Sequence, residues 1–546
     1  MFLGEKKTKR LAAIGSALLL GASLLLGGCG GTGGKSASGG GSSASKDKIL
    51  TMGFTNAPSS FNPLSTPDIA GHFINRFMFD TLLGQPEVNK FTPHLALSID
   101  TKDKQTYTIK LNPKAKWSDG KPITADDVVY TFNLIANPDV LSSLGRYMNF
   151  LDGVSSNGKV AKGAKVACVK KIDDHTIEFK TKSPIDPNIV KNGVGFNIPI
   201  VPMHVFSKLD PKNIPNAPEV TTPKVFSGPY KFVKYVTNDH VELAANKDYV
   251  LGEPQIKRVF LTISSDTNLV VNLKAGKVTI NAPLGVGKIP VKEMDGLKAD
   301  KKLKTIPLPA TGTQFLMANN QKFDVHFRRA LSYAINKKQI KDQIYKGYAD
   351  ITPTLYTLAN AAYDPSVKDL EYNPEKAKEE LAQSKFDKNT ELTLLVPLGN
   401  LMREQSGDLI QQNLKAVGLN VNISKLDFPT MLARARKGEF QLLLIGLGQP
   451  LEPDYTTYFV PGSMSNYSQT DDPELIAMFD AGIKATEFAD RKKIYEKVQH
   501  YLVDKQYQCS LYNPKQVIVK DKNLVGGENS FMDGTLDEVY NWHFAK

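Results

Sequence analysis

The chain has 546 residues, of which 41% are hydrophobic and 23% are charged, as in an ordinary soluble globular protein. This length is too great for one hydrophobic core and predicts two or three domains. Lysine and arginine give a formal net charge of +12, but no arginine-rich run or basic–aromatic repeat accompanies it. The charge is therefore interpreted as a solvated surface, and it argues against nucleic-acid binding.

The first residues carry an export signal. Residues 1–10 are short and basic, and an apolar run follows from Leu11 to Leu26. Such a run is short for a permanent membrane span and is typical of a secretory signal. It ends in the letters LGGC, which resemble a bacterial lipobox. We therefore expect residues 1–28 to be a lipoprotein signal peptide and Cys29 to be acylated, with its acyl chains in the outer leaflet.

A polar linker follows the expected lipid attachment site. Residues 29–48 are almost entirely glycine, serine, alanine, threonine and lysine. Such a composition cannot bury enough apolar surface to order itself, so we expect a flexible tether between the lipid and the folded body. The letters GKS at Gly34 resemble the end of a phosphate loop, but the first glycine of that motif would fall on Cys29. A phosphate site is therefore rejected.

Strands and helices are predicted to alternate irregularly after the tether. Ile49–Phe54 has the pattern of a buried strand, and Tyr107–Leu111 and Thr176–Lys180 alternate like half-buried strands. Thr124 and Asp127 have the spacing of a capping box at the start of a helix. Further helix caps are predicted at Asp324, Asn373 and Asp472, and a further amphipathic helix at Arg491–Leu502. The mixture predicts α/β domains.

The motifs of common enzymes and metal sites are absent from the sequence. The eight histidines form no His-Glu-x-x-His pair, and the chain has neither a Gly-x-Ser-x-Gly elbow nor a Cys-x-x-Cys pair. We therefore predict no cofactor, no metal and no catalytic residue, although a triad assembled from distant positions stays open. Cys168 and Cys509 are predicted to be either free thiols or one bridge.

A family resemblance is carried by Trp117–Thr131, a Ser-Asp-Gly turn that runs into the helix capped at Thr124. This segment resembles the signature of family-5 solute-binding proteins, the oligopeptide and dipeptide receptors of ABC importers. Seven further segments resemble other motifs of this family and occur in the same order. They are Val201–Phe206, Ser227–Tyr230, Asn246–Pro254, Leu273–Val278, Val325–Ile335, Tyr372–Ala377 and Glu439–Leu442. The resemblance covers residues 49 to about 515.

The resemblance implies a type II periplasmic-binding-protein-like fold of the large cluster, an α/β fold of two lobes with an extra domain. The first lobe would hold residues 49–83, 223–312 and 507–546, the extra domain 84–222 and the second lobe 313–506. The extra domain would pack on the first lobe. Two crossover strands would form a hinge between the lobes. Closure of the lobes would bury the ligand, and the importer would recognise the closed form.

The function implied is that of an extracellular receptor that captures oligopeptides and delivers them to an ABC-type permease without performing chemistry. The partners expected are a peptide, the permease subunits and the membrane, which the protein reaches through its lipid. We expect a monomer on the outer face of a bacterial, Gram-positive cell membrane. The same receptor could instead bind a pheromone peptide, a sugar, haem or a nickel chelate. A third hypothesis is an exported hydrolase or foldase on a lipid tether.

The site residues implied by the resemblance lie on two loops that line the family's cleft. The loop after the first strand would contribute Thr55, Asn56 and Ser59. The loop after the late strand Leu442–Ile445 would contribute Leu447, Gly448 and Gln449. Further candidates, from segments that reach the cleft in relatives, are Asn319, Asn320, Asn466 and Tyr467.

The late loop departs from the pattern of peptide-binding relatives. Those proteins often place an aspartate there to hold the peptide ammonium, whereas this chain reads Gln-Pro-Leu from Gln449, and Leu447 replaces the usual tryptophan. The nearest acids are Glu452 and Asp454, and either could supply the missing charge. The amino end could also be held differently, or the ligand could be something other than a peptide.

Overall fold

The computed structural model describes residues 49–65, 68–283, 285–529 and 535–545, all within the unit Asp47–Lys546. The expected signal peptide and the residues of the tether, Cys29 included, lie outside the described residues. The strands are β1 (Leu50–Phe54), β2 (Leu83–Glu87), β3 (Lys90–Pro93), β4 (Ala96–Thr101), β5 (Thr106–Leu111), β6 (Lys170–Asp173), β7 (Thr176–Lys180), β8 (Tyr230–Val236), β9 (His240–Ala245), β10 (Arg258–Ile263), β11 (Ile280–Asn281), β12 (Leu303–Leu308), β13 (Gly312–Ala318), β14 (Ala349–Asp350), β15 (Leu392–Pro397), β16 (Val421–Leu426), β17 (Leu442–Gly448), β18 (Cys509–Pro514), β19 (Gln516–Asp521), β20 (Leu524–Val525) and β21 (His543–Phe544).

Helices connect most of these strands. They are α1 (Ile69–Met78), α2 (Ala125–Ala136), α3 (Pro187–Val190), α4 (Met203–Phe206), α5 (Pro218–Thr221), α6 (Asp266–Lys274), α7 (Met294–Ala299), α8 (Val325–Ala334), α9 (Lys337–Gln339), α10 (Pro374–Gln383), α11 (Leu401–Ala416), α12 (Phe428–Arg436), α13 (Pro473–Lys484) and α14 (Phe488–Lys505). No helix within the described ranges combines the length and the apolar character that a membrane crossing requires.

The helix starts predicted from the sequence are confirmed. The Asp127 carboxylate accepts the backbone N–H of Thr124 at 3.0 Å, so the capping-box contact forms at the start of α2. The side chains of Asp324, Asn373 and Asp472 accept backbone N–H groups in the first turns of α8, α10 and α13. These caps were predictable because each depends on neighbours within four residues.

The first lobe is built on a seven-stranded sheet in the order β12-β19-β11-β1-β10-β9-β8. β1 is central and runs parallel to β10 and β11. Leu50, Met52 and Phe54 of β1 are fully buried, and the aromatic side chains of α1 pack in the same hydrophobic cluster. A strand covered on both faces reads as a nearly continuous apolar run, and β1 has that pattern.

The second lobe is built on a six-stranded sheet in the order β14-β18-β13-β17-β15-β16. β15 runs parallel to β16 and β17, whereas β13 runs antiparallel to β17 and β18. Residues 442–445 of β17 are fully buried, because hydrophobic clusters cover both faces of this sheet. β17 therefore lies in the interior of the lobe, and only the two ends of this strand reach the edges of the sheet.

The extra domain is built on an antiparallel four-stranded sheet in the order β4-β5-β7-β6. Tyr107, Ile109 and Leu111 alternate inward along β5, as the sequence pattern predicted. Val128 and Phe132 of α2 pack in the same cluster, which extends along the chain from Leu64 to Val220. Cys168 of this cluster is half-buried, and both it and the buried Cys509 of β18 are free thiols rather than a bridge.

Two short segments connect the lobes. Residues 309–311 lead from β12 into β13, and Lys515 alone separates β18 from β19. The prediction that residues 507–546 belong to the first lobe is therefore wrong at its start. Antiparallel pairing with β13 places β18 in the sheet of the second lobe, and the return crossover lies at Lys515.

Candidate functional site

The carboxyl edges of the two large sheets face each other across the crossovers. In the first lobe β12 runs in the direction of β11 and β1, because both β12 and β11 pair antiparallel to β19. Its carboxyl end at Leu308 leads directly to the second lobe. In that lobe Gly448, the carboxyl end of β17, pairs with Gly312 at the start of β13. Ligands of open α/β sheets bind outside the carboxyl ends of the strands, so this cleft is the candidate site.

The wall from the first lobe is the loop after β1. The Thr55 hydroxyl donates to the carbonyl of Val286 at 2.8 Å, which fixes this loop against the neighbouring segment. The Asn56 side chain is exposed. The backbone N–H of Ser59 donates to Asp68 at 2.9 Å, and the same carboxylate caps α1. Thr55 and Ser59 therefore hold the loop in place through hydrogen bonds, and Asn56 and Ser59 are the exposed residues of the three.

The wall from the second lobe is the loop after β17. The backbone N–H of Gln449 donates to the carbonyl of Thr311 in the first crossover at 2.9 Å. Its side-chain Oε1 accepts from the Thr313 hydroxyl at 3.1 Å, and the residue is only 4% exposed. The Gln449 Nε2 has no hydrogen-bond partner among the described residues. Buried donors are normally paired, so this amide is a candidate donor to a bound ligand.

The two acids that follow the late loop have different surroundings. Glu452 forms an ion pair with Arg491, a guanidinium that it shares with Asp186, so it already has a counter-ion within the protein. Asp454 accepts the backbone N–H of Thr456 at 3.0 Å, and no lysine or arginine within the described ranges forms an ion pair with it. Burial raises the pKa of the Asp454 carboxyl, while the hydrogen bonds from Thr456 and the charge of Arg491 act in the opposite direction. Asp454 is therefore the better candidate to hold a ligand ammonium.

Four of the predicted site residues lie at the opposite edge of the second-lobe sheet. Asn319 and Asn320 follow Ala318, and β13 separates them from Gly312 by about 20 Å. The Asn319 amide donates to the carbonyl of Gly438 at 2.9 Å. Asn320 and Asn466 both donate side-chain hydrogen bonds to the loop at Thr470, and Tyr467 is buried beside them.

The placement of Asn319, Asn320, Asn466 and Tyr467 in the cleft is thereby corrected. The three asparagine amides stabilise loops at the far end of the sheet, because β13 runs away from the crossovers. A surface cavity of about 380 Å³, lined in part by Asn466 and Gln469, opens at this far edge. It is separate from the cleft between the lobes.

A guanidinium that the sequence analysis missed lies at the cleft edge of the second lobe. Arg403, in the first turn of α11, donates its Nε to the Gln314 side chain at 2.8 Å. Burial lowers the pKa of Arg403, and no carboxylate among the described residues perturbs it. A Cβ added to Gly446 would lie 2.6 Å from the Arg403 Nη2, so glycine is needed for this approach. An anionic ligand group would complete the contacts of this side chain.

Exposed apolar side chains follow the carboxyl ends of β15 and β16, the strands that flank the connection leading to Arg403. Leu398 follows the carboxyl end of β15, Leu401 begins α11, and Phe428 follows the carboxyl end of β16. Leu398, Leu401 and Phe428 are 51%, 68% and 42% exposed, respectively. The sequence signal was available, since three large apolar residues stand in or directly after the connections that follow β15 and β16, where polar residues are usual. They provide apolar surface for a ligand at the same edge.

Comparisons with known proteins agree on one family. Oligopeptide-binding protein AppA of Bacillus subtilis is 25% identical over 504 residues, which cover 87% of this chain and 88% of that protein. Periplasmic oligopeptide-binding protein OppA of Salmonella typhimurium is 25% identical over 464 residues, 81% of this chain and 83% of that one. The crystal structure of the ABC transporter substrate binding protein CtaP from Listeria monocytogenes superposes with a TM-score of 0.78 at 25% identity. That superposition covers 91% of this chain and 99% of the other.

The family profile agrees with these relatives. The profile of bacterial extracellular solute-binding proteins, family 5 Middle, matches residues 90–469, which is more than half of the chain. This protein therefore belongs to the family-5 bacterial extracellular solute-binding proteins.

Proposed function

We propose that this protein captures oligopeptides in the cleft between its two lobes and delivers them to an ABC-type permease. The observation that carries the proposal is the opposition of two carboxyl sheet edges that are joined by short crossovers at residues 309–311 and 515. Such lobes can close on a solute as a hinge. The oligopeptide-binding relatives support peptides as the solute class.

A peptide in this cleft must keep its backbone groups hydrogen-bonded once water is excluded. The loop after β17 offers the Gln449 Nε2, a buried donor without a partner among the described residues. Strand-like pairing with cleft backbone satisfies a peptide whatever its side chains are. Hydrated pockets can then accommodate different side chains, which makes a receptor promiscuous without making it weak.

The two ends of a free peptide carry opposite charges, and we propose one partner for each. Asp454 holds the ammonium, since Glu452 is already paired with Arg491. Arg403 holds a carboxylate, since its guanidinium hydrogen-bonds the neutral Gln314. Charge-assisted contacts of this kind are stronger than neutral hydrogen bonds and would orient the peptide. Leu398, Leu401 and Phe428 would contact its apolar side chains.

We propose that binding is the whole activity and that the protein performs no chemistry. The family and its relatives are binding proteins, which supports this view. We further propose a lipoprotein that is anchored through Cys29 at the outer face of the cell membrane and acts as a monomer. Hydrophobic clusters support domain limits of 49–83, 223–308 and 516–545 for the first lobe, 84–222 for the extra domain and 312–514 for the second lobe. At the first boundary Leu64, Leu82 and Leu83 pack in the cluster of the extra domain.

Mass spectrometry of the ligands released from purified protein tests this function. A receptor for mixed oligopeptides releases a heterogeneous set of peptides. Release of one non-peptide species, such as a sugar, haem or a nickel chelate, would contradict the peptide assignment but keep the receptor. Incubation of the protein with a synthetic peptide library tests the remaining hypothesis, because catalytic turnover of any peptide would contradict a pure receptor.

A further inference from the structure

A second contact joins the halves of the molecule, away from the crossovers. Arg491 of α14 in the second lobe donates its Nη1 to Asp186 of the extra domain at 3.2 Å. Both side chains are 1% exposed. Beside this pair, Lys104 of the extra domain forms an ion pair with Glu487, which precedes α14. The extra domain therefore touches the second lobe directly through four charged residues.

Both sides of this contact are held rigidly. In the extra domain the Tyr107 hydroxyl lies 3.1 Å from the carbonyls of both Lys104 and Ile185, which fixes the two loops as one platform. In the second lobe the Arg491 Nε donates to the carbonyl of Gly482 at 3.0 Å. The contact is therefore made between preformed surfaces, and separating them exposes charges that are now buried.

The contact is also connected to the cleft. Arg491 binds Glu452 as well as Asp186, and Glu452 lies three residues after Gln449 in the loop that lines the cleft. Two hydrogen bonds stiffen this loop, from the Tyr356 hydroxyl to the carbonyl of Pro453 at 2.8 Å and from the Asn360 amide to that of Leu451 at 3.2 Å. A ligand that contacts the loop and an extra domain that contacts Arg491 therefore both act on one rigid segment.

We propose that the extra domain is the second closing surface of the receptor and that Asp186 latches it to Arg491 in the closed form. On opening, Arg491 keeps Glu452, while Asp186 becomes hydrated and loses its partner. The Asp186 carboxylate also accepts the N–H of Asn188, and the Arg491 guanidinium also donates to Gly482, so both groups keep further hydrogen bonds when they are desolvated. Under that condition the attraction of a buried pair offsets the hydration that it loses, and the latch favours closure whichever solute is bound. The inference rests on the hinged closure of the proposed function, but not on the identity of the solute.

The substitution Asp186→Asn isolates the latch. The Asp186 Oδ1 accepts the backbone N–H of Asn188 at 2.9 Å at the start of α3, and asparagine caps helices as well as aspartate does. The substitution therefore keeps the cap and removes the charge that faces Arg491. Arg491 itself is left unchanged, because its loss would leave Glu452 without its ion-pair partner. Asp152→Asn, an exposed carboxylate elsewhere in the same domain, is the matched control.

Hydrogen-exchange mass spectrometry on the full-length, detergent-solubilised protein provides the readout without any added solute. In Asp186→Asn the amides of residues 486–491 in the second lobe should exchange about tenfold faster or more. Glu487→Gln should conversely accelerate residues 183–190 in the extra domain. The strand β5 and the control variant should be unchanged. Unchanged exchange at residues 486–491 would overturn the latch.

Equal acceleration of β5 would also overturn it, because the pair would then stabilise the fold of the extra domain rather than closure. The oligopeptide assignment is tested separately by the ligands released from the protein. A failed latch and a failed peptide assignment are therefore distinguishable.

Discussion

Asn513 donates its Nδ2 to the Thr313 hydroxyl oxygen at 2.7 Å, and this bond joins β18 to β13 where the two crossovers leave the second lobe. Thr313 in turn donates to the Oε1 of Gln449 at 3.1 Å, and all three residues are buried. The hinge region and the loop that lines the cleft therefore share one chain of hydrogen bonds, in which each member depends on the next.

Thr313→Val breaks this chain at its centre without changing the side-chain volume much. The Gln449 Oε1 acceptor would remain buried without a partner, and the Asn513 Nδ2 would keep only its hydrogen bond of 3.4 Å to the carbonyl of Gly312. We expect the free energy of unfolding of the second lobe to fall by about 1–3 kcal/mol, as measured by urea denaturation. Thr267→Val, at an exposed threonine of α6, is the control and should stay within about 0.5 kcal/mol of the parent. Equal effects of the two substitutions would show that the hydrogen-bond chain contributes nothing.

Asp454→Asn tests the proposed ammonium site. With a peptide identified among the released ligands, calorimetry should show affinity reduced about tenfold or more, because a buried charge pair is lost. The same peptide with an acetylated amino terminus should bind parent and variant alike, since it carries no ammonium. Asp471→Asn, at an exposed aspartate of the far edge, is the control. A loss of affinity that is the same for both peptides would place the role of Asp454 in the loop structure instead.

Arg403→Gln tests the proposed carboxylate site. The substitution removes the charge, and we expect affinity for a free-acid peptide to fall about tenfold or more. The corresponding peptide amide should be little affected, again by calorimetry. Arg436→Gln, at an exposed arginine of α12, is the control. Full affinity of Arg403→Gln for the free acid would remove Arg403 from the site.

A buried histidine predicts a pH dependence of stability. The His94 Nδ1 lies 2.7 Å from Asp80 at the junction of the first lobe and the extra domain, where Tyr249 also donates to Asp80 at 2.9 Å. Burial alone would lower the pKa of His94, but Asp80 and Asp537 outweigh burial and Arg76, and the pKa is raised. Because the pKa of His94 is higher in the folded state than in the unfolded state, protonation of His94 stabilises the fold. This stabilisation is complete below the unfolded pKa of about 6.5 and is lost as the pH rises through the folded pKa.

The thermal unfolding midpoint should therefore fall as pH rises above about 6.5. His94→Gln should flatten this part of the pH profile, whereas His175→Gln, in the turn before β7, should leave it unchanged. Scanning calorimetry between pH 5.5 and 9 would measure the profile. A parent profile that rises over this range would contradict the assignment to His94.

Cys29→Ser tests the anchor independently of the cleft. The variant should leave the membrane fraction for the medium or the cytosol, as shown by fractionation and immunoblotting. Its affinity for a released peptide should equal that of the parent, because binding depends on residues of the folded body. Retention of the variant in the membrane would contradict lipidation at Cys29.

Local features of this fold were predictable and long-range ones were not. The caps at Thr124, Asp324 and Asp472 depend on contacts within one helical turn, and the alternation of β5 depends on one strand. Domain composition came from the family resemblance, and it failed at β18, whose sheet is decided by pairing with β13 nearly 200 residues earlier.

The candidate site shows the same division. The loops at Asn56 and Gln449 were predictable because they follow recognisable strands. Asn319 was misplaced because its position depends on the direction of β13, which no local pattern records. The contact of Asp186 with Arg491 spans 305 residues of sequence. The sequence around Glu452 likewise did not indicate its ion pair with Arg491. Ion pairs of this kind become visible only when the chain is folded.

β19 lies between β12 and β11 in the first-lobe sheet, although it follows them by about 200 residues in the chain. During synthesis, β11 and β12 therefore have no shared neighbour until residues 516–521 emerge. The sheet of the first lobe cannot be completed before almost the whole chain is available. Its last pairing is thus a long-range one, and such pairings are slow because a large loop must close before they form.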